Sequence, residues 1–425
     1  MNNTAVEQYM DQICTRLMAH PKLDTMFRNC FLNTLETTLH LENDEVFVVT
    51  GDIPAMWLRD SAAQVRHYLP VAAHDEEMAR MVAGVIKRQL RYVLEDPYAN
   101  AFNQTANGNG HKDDLTEMSP WVWERKYEVD SLCNVLHLGW LYWKQTGRTD
   151  VFMPPFQQVA EQILTVWKTE QRHEKSPYRF QRTGCPAIDT LCCDGRGTPV
   201  NYTGMTWSGF RPSDDACQYG YLIPANMFAV VALNNLEELA CSVLHDLPLA
   251  ARAQSLRETV RNGINRFGLY EHTNFGTIYA YETDGMGHYN LMDDANVPSL
   301  LSLPYLGYCA ADDPIYQNTR RFILSRQNPF FFSGKAASGI GSPHTPPNYI
   351  WHISLAMQGL TTDDPGEQEQ LIQALLSTRG GTLYMHESFD KDDPFSFTRP
   401  WFAWANSLCA EFLVYYATRK EQKTK

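Results

Sequence analysis

Positive charge is scarce in this 425-residue chain: 36 Lys and Arg stand against 49 Asp and Glu, a formal net charge of −13. That balance argues against a nucleic-acid partner and leaves no polybasic patch for an anionic membrane. No apolar run approaches the roughly 20 residues needed to cross a bilayer. The opening "MNNTAVEQYMDQ" lacks the basic and apolar regions of a secretory signal, so the sequons at Asn2, Asn103 and Asn201 carry little weight. Ten cysteines in so long a chain do not look like a disulfide framework, and none lie in a CxxC spacing that would support zinc. Cys185, Cys192 and Cys193 come nearest to a cluster. These absences predict a cytoplasmic, reducing setting with buried free thiols.

Other chemistries are missing too. No phosphate-binding glycine loop occurs, and "DGMGHYN" lacks the third glycine of a dinucleotide fingerprint. "HESFD" lacks the second His of a zinc peptidase, and no GxSxG elbow is present. No low-complexity linker or exact repeat divides the chain, so residues 1–425 read as one domain.

What is present is helical periodicity. In "DEEMARMVAGVIKRQLRYVLEDP" the apolar positions form one stripe, which Pro97 ends. "EVDSLCNVLHLGWLYWKQTG" repeats the pattern and closes on Gly147 as a C-cap. Comparable stretches lie near 5–18, 24–40, 156–172, 222–241, 250–267, 312–326, 349–360, 366–379 and 401–418. Strand-like runs such as "EVFVVTG", "TIYAYETDG" and "TLYMHESF" are short and suit hairpins at loop level. About a dozen helices with short hairpins predict an all-α fold, a closed ring of paired helices (an α/α toroid) with its short strands in the loops.

Polar and aromatic residues concentrate between the helices, in segments 50–61, 206–215, 284–298, 341–352 and 385–406. If alternate connections share one end of a toroid, these segments meet in one mouth. Carboxylates among aromatic rings are what cleaving a sugar–sugar bond requires: one acid protonates the leaving oxygen, and a second activates water or attacks the sugar. Rings stack on pyranose faces while polar groups read the hydroxyls.

In "GFRPSDDACQYGY" Asp214 and Asp215 stand side by side. Ser213 can cap a helix beginning near Ala216, and capping accounts for one acid, not two. One Asp can pair with Arg211 while the other faces the cavity, but the residues alone do not say which. Arg211 and the helix dipole lower an Asp pKa. Burial beside Trp207, Phe210 and another carboxylate would have to overcome that by about 2 pH units for a general acid. Glu387, in "HESF", lies between a possible strand "TLYMH" and an acidic loop; it either does chemistry or orders that loop. Trp401 and Trp404, spaced i, i+3, can face one way from a helix, for core packing or for a sugar. Arg59 and Asp60 form either a hydroxyl clamp or a structural ion pair. Asp293, Asp294 and Asn296 resemble metal ligands but fall short of a calcium loop.

Taken together, "TGDIPAMWLRDSAAQ", "SGFRPSDD", "LMDDANVPSLLSLPYLGY", "GIGSPHTP" and "HESFDKDDPFSFTRPWFAWAN" resemble glycoside hydrolase family 125, the exo-α-1,6-mannosidases. The five motifs keep that family's order and span residues 50 to 406. The resemblance implies an (α/α)6 barrel and an inverting hydrolase with no metal or cofactor, acting on non-reducing terminal mannose of N-glycan or mannan fragments. By motif, Asp214 is implied as general acid and Glu387 as general base. Arg59, Asp60, Asp294, Asn296, His344, Trp351 and Trp404 are implied in the terminal-sugar pocket, and Asp215, its neighbour Asp214 taken for the leaving oxygen, is left for the helix or for binding a sugar hydroxyl. Inversion requires the two carboxyls to stand roughly 6.5–9.5 Å apart, with water between.

Two other classes use similar residues. A barrel epimerase would need paired His acid and base, for which His288, His344, His352 and His386 are available. A non-catalytic mannoside-binding protein could use the same rings and acids.

Overall fold

The computed structural model describes residues 4–17 and 21–422. Among them, twelve helices alternate between an inner and an outer ring. The inner ring comprises Leu58–Arg66, Val129–Thr146, Ile223–Ser242, Leu303–Leu306, His352–Leu360 and Ala403–Gln422. Its outer partners are Pro21–Thr37, Glu76–Glu95, Pro154–Glu170, Leu247–Phe267, Pro314–Ile323 and Pro365–Ser377. Leu58–Arg66 packs on Val129–Thr146 and on Ala403–Gln422, while Pro21–Thr37 lies against Ala403–Gln422, so the end of the chain closes on its beginning. This is an (α/α)6 barrel.

The two rings differ because their sequences differ. Ile223–Ser242 is apolar nearly all round and is buried along most of its length, which suits a helix packed on every side. Glu76–Glu95 buries one face and shows most of its charged residues outward, Arg88 being buried against Glu42 and Glu45. Four outer helices start on Asp caps, among them Asp75, which accepts from the Met78 amide at 2.7 Å, and Asp246, which accepts from Leu249 at 2.9 Å. Gly147 ends its helix in the left-handed region at φ +70°, as its position predicts.

Three inner helices begin differently, directly from short strands. Met56–Trp57 pairs with Ala101–Phe102, Tyr221–Leu222 with Glu282–Thr283, and Tyr349–Trp351 with Ser388–Asp390. These small antiparallel sheets hold the long connections against the N-terminal ends of the inner helices, where backbone N–H groups point outward.

Three local expectations fail. No helix starts near Ala216; the next begins at Ile223, with Pro224 in its first turn. The chain before it, from 209 to 217, folds back on itself. "TLYMH" is irregular, and the strand begins only after Glu387, at Ser388. Trp401 follows Pro400 and precedes the Ala403–Gln422 helix, so it does not share that helix with Trp404. The thiols are all unpaired, but burial holds only for Cys14, Cys30, Cys133, Cys217 and Cys409; Cys192, Cys193 and Cys241 are exposed. No helix among the described residues is long and apolar enough to cross a membrane.

Gly359 lets His352–Leu360 approach Ala403–Gln422, because a Cβ there would enter the Phe412 ring. Gly359→Val should therefore lower stability by roughly 1–3 kcal/mol through overpacking, read from urea midpoints. An unchanged midpoint would show that these helices are not in close contact.

Candidate active site

Residues 209–217 form a tight fold-back. Phe210 bridges Ala216, the Cys217 amide donates to the Gly209 carbonyl at 2.9 Å, and the Arg211 amide donates to Asp215 at 2.8 Å. Asp214 occupies the tip at φ +66°, a region Asp tolerates better than most residues. The neighbouring carboxylates take separate partners. Asp214 lines a cavity, while Asp215 is fully buried and accepts from His344 Nδ1 at 2.9 Å. Arg211 pairs with neither; its Nε donates to Glu282 at 2.6 Å. Ser213 caps no helix and donates instead to Asp294 Oδ2 at 2.9 Å.

The cavity holds about 400 Å³ of open space at the N-terminal ends of the inner helices. Asp214 and Glu387 both line it, with Arg59, Asp60, Asn296, His344, Trp351 and Trp404. Asp215 and Asp294 do not. Asp294 is a buried staple that accepts from Ser213, from Ser342 at 3.1 Å and from the Asn296 amide nitrogen Nδ2 at 3.0 Å. Asp293 accepts the Leu300 and Leu301 amides at 2.8 and 3.1 Å, so its carboxylate shapes a turn. Among the described residues, no three His, Cys, Asp or Glu side chains gather as metal ligands.

Asp214 is 26% exposed on its cavity side. Arg59 Nη2 and Asn100 Nδ2 donate to its Oδ1 at 3.3 and 3.4 Å, and Lys126 Nζ holds its main-chain carbonyl at 2.7 Å. Trp207, expected beside it, stacks on His173 instead. The expected second carboxylate is there, however: Glu128, held on the same Arg59 guanidinium as Asp214. Burial pushes Asp214 up, but the charges of Arg59 and Lys126 prevail and hold it down to about 2. Burial raises Glu128 well above the carboxylate range, against the pull of Arg59. The two carboxyls therefore titrate together, as one acid pair.

Glu387 sits where the irregular chain enters strand Ser388–Asp390. Arg399 Nε lies 3.3 Å from its Oε1, and Arg399 Nη1 reaches Asp52 at 2.5 Å. Arg399 also lines the cavity, as do the rings of Trp57 and Phe402. The sequence reading assigned these three no role; each lay inside a quoted motif, but nothing in their spacing set them apart. Trp351 is fixed by its Nε1, which donates to Thr345 Oγ1 at 2.8 Å. Trp404 receives the Arg59 guanidinium 5.7 Å from its ring centroid. Asp60 is pushed up to about 6 by burial, against Arg59.

The four histidines do not converge. His352 bonds to the His386 main chain and to Thr378, and His386 stacks on Phe397, so both are structural. His288 pairs with Asp284 on an exposed turn. Only His344 of the four lines the cavity. Burial opposes its charge, but Asp215, Asp214 and Glu387 raise it to about 9.

A cavity lined by acids and rings at one end of an (α/α)6 barrel defines an α/α-barrel glycoside hydrolase. The family model for metal-independent α-mannosidases, glycoside hydrolase family 125, matches residues 20–414, and the chain belongs to that family. A solved Streptococcus pneumoniae structure from a new family of metal-independent α-mannosidases, a non-productive complex with α-1,6-mannobiose, is 48% identical. It superposes with a TM-score of 0.96 over 97% of this chain and 98% of its own. The meiotically up-regulated gene 157 protein of Schizosaccharomyces pombe is 40% identical over 443 residues, covering 99% of this chain and 87% of that protein. A wild-type glycosidase structure at 12% identity, with a TM-score of 0.59 over 94% of this chain and 97% of its own, shares the fold alone.

A charged His344 has a consequence for stability. Its pKa rises from 6.5 to about 9 on folding, so its contribution is complete below pH ~6.5 and lost as pH climbs towards 9. The urea-midpoint difference between wild type and His344→Gln should therefore shrink across that interval. A pH-independent difference would mean that His344 is not held as a cation.

Proposed function

We propose that the protein is an exo-acting, inverting α-1,6-mannosidase in which Asp214 is the general acid and Glu387 the general base. The observation that carries this reading is that these two carboxyls line one cavity together with the rings of Trp57, Trp351, Phe402 and Trp404. The Streptococcus pneumoniae relative, bound to α-1,6-mannobiose, supports the linkage. Asp214, protonated, gives its proton to the glycosidic oxygen as the C1–O bond breaks and the bonding electron pair stays on that oxygen. Glu387, oriented by Arg399, takes a proton from water that attacks C1 from the opposite face, and β-mannose results. Arg59, Asp60, Asn296 and His344 supply donors and acceptors for the hydroxyls of the terminal sugar. Asp215 and Asp294 act behind them, Asp215 by holding His344 and Asp294 by joining three loops.

The epimerase reading loses its footing, since only His344 of the four histidines faces the cavity. The substrate is a mannose-bearing oligosaccharide. Ten unpaired cysteines favour the cytoplasm as the place of action, and residues 1–425 are taken as one catalytic domain.

Proton NMR of α-1,6-mannobiose digestion, with chelator present, should show β-mannose before mutarotation. Asp214→Asn and Glu387→Gln should each lower kcat on this substrate by about 10²–10⁴-fold. Early α-mannose would overturn inversion, and a fully active Glu387→Gln would overturn the base assignment.

A further inference from the structure

Glu128 is absent from the mechanism above, yet its position demands an account. It immediately precedes helix Val129–Thr146, and its side chain is completely buried. Arg59 Nη1 and Ser131 Oγ donate to its Oε2 at 2.6 and 2.8 Å. Oε1 meets no N–H or O–H donor, and Arg59 holds Glu128 by Nη1 and Asp214 by Nη2, so the two carboxyls share one guanidinium. A buried carboxyl oxygen that no donor reaches is satisfied when the carboxyl itself carries a proton and gives it to a neighbouring acid.

The surrounding charge leads to the same result. Arg59 faces four carboxyls: Glu128, Asp130 at 3.2 Å, Asp214 at 3.3 Å and Asp60 at 3.6 Å. Lys126 is nearby, but it spends its ammonium on the Asp214 carbonyl and on Asp189 at 3.3 Å. His344 contributes charge from the cavity side, and the buried Cys217 thiol, pushed well up by burial, contributes none. Four buried anions on one guanidinium would be far too costly, so the cluster must keep protons.

We infer that Glu128 is the positioning residue that keeps the catalytic proton with Asp214, the two carboxyls sharing one proton within the Arg59 cluster. The inference rests on Asp214 being the general acid. In a turnover, the Glu128 O–H bond breaks as the Asp214 O–H bond forms. Asp214 then yields that proton to the glycosidic oxygen. Two carboxylates remain; the pair regains one proton from solvent through the cavity, and Glu387 releases to solvent the proton it took from water, so the cycle closes with no net proton gained or lost. Like charge at Glu128 opposes the second ionisation of the pair, which extends activity to higher pH.

The test compares Glu128→Gln, Asp214→Asn and wild type on α-1,6-mannobiose and on α-mannosyl fluoride, whose leaving group needs no proton. Glu128→Gln should lose about tenfold or more on mannobiose, lose little on the fluoride, and move the alkaline limb of kcat/KM to lower pH. Equal losses on both substrates with an unmoved limb would mean a structural role and overturn the inference, leaving the acid assignment intact. Full activity of Asp214→Asn on mannobiose would overturn both. If Glu128→Gln does not fold, infrared spectra of wild type decide. A protonated-carboxyl band should titrate with the alkaline limb and vanish in Asp214→Asn, and its absence would overturn the proposal.

Discussion

The catalytic end of this barrel depends on one buried guanidinium. Arg59, 3% exposed, reaches Glu128, Asp130 and Asp214 at once, at 2.6, 3.2 and 3.3 Å. It ties the first turn of one inner helix to the start of the next and to the loop that carries the proposed acid. Only a planar, permanently charged fork could span three carboxyls in this way; a lysine would bind as a single point charge. Removing it would leave several acids buried without a counterion, a larger cost than the loss of any one contact.

Around that centre, the site follows from the direction of the inner helices. Their N-terminal ends face the cavity, short sheets anchor the connections there, and acids gather where the helix dipoles favour them. The loop bearing Asp214 adds a local device. A left-handed residue at its tip allows adjacent acids to serve different neighbours, one the cavity and the other His344. Hydrolytic acid–base chemistry needs two carboxyls in unlike environments. Here the difference comes from partners: Arg59, Asn100 and Glu128 for Asp214, and Arg399 for Glu387.

Much of the barrel was legible in the sequence. The long helices show a 3.6-residue period because each must turn an apolar face to the next ring, and their boundaries fall within a few residues of expectation. Leu303–Leu306 escaped because four residues carry no period. The supposed helix at Ala216 was an inference from capping chemistry, and Ser213 found a tertiary acceptor in Asp294 instead. Asp215 and Asp294 were read as sugar contacts because an acid in a loop looks the same whether it faces a ligand or a neighbouring loop.

The sequence by itself determined the class: an all-helical, acidic chain whose loops mix carboxylates with rings, and whose ordered motifs place it among α-mannosidases. Periodicity and motif order are one-dimensional properties, so they survive being read along a line. Which charges pair was decided only by the tertiary structure. Arg59 and Asp214 lie 155 positions apart, and Asp52 and Arg399 lie 347 apart. Proton affinity depends on distance through space and on burial, and neither is set until the barrel closes.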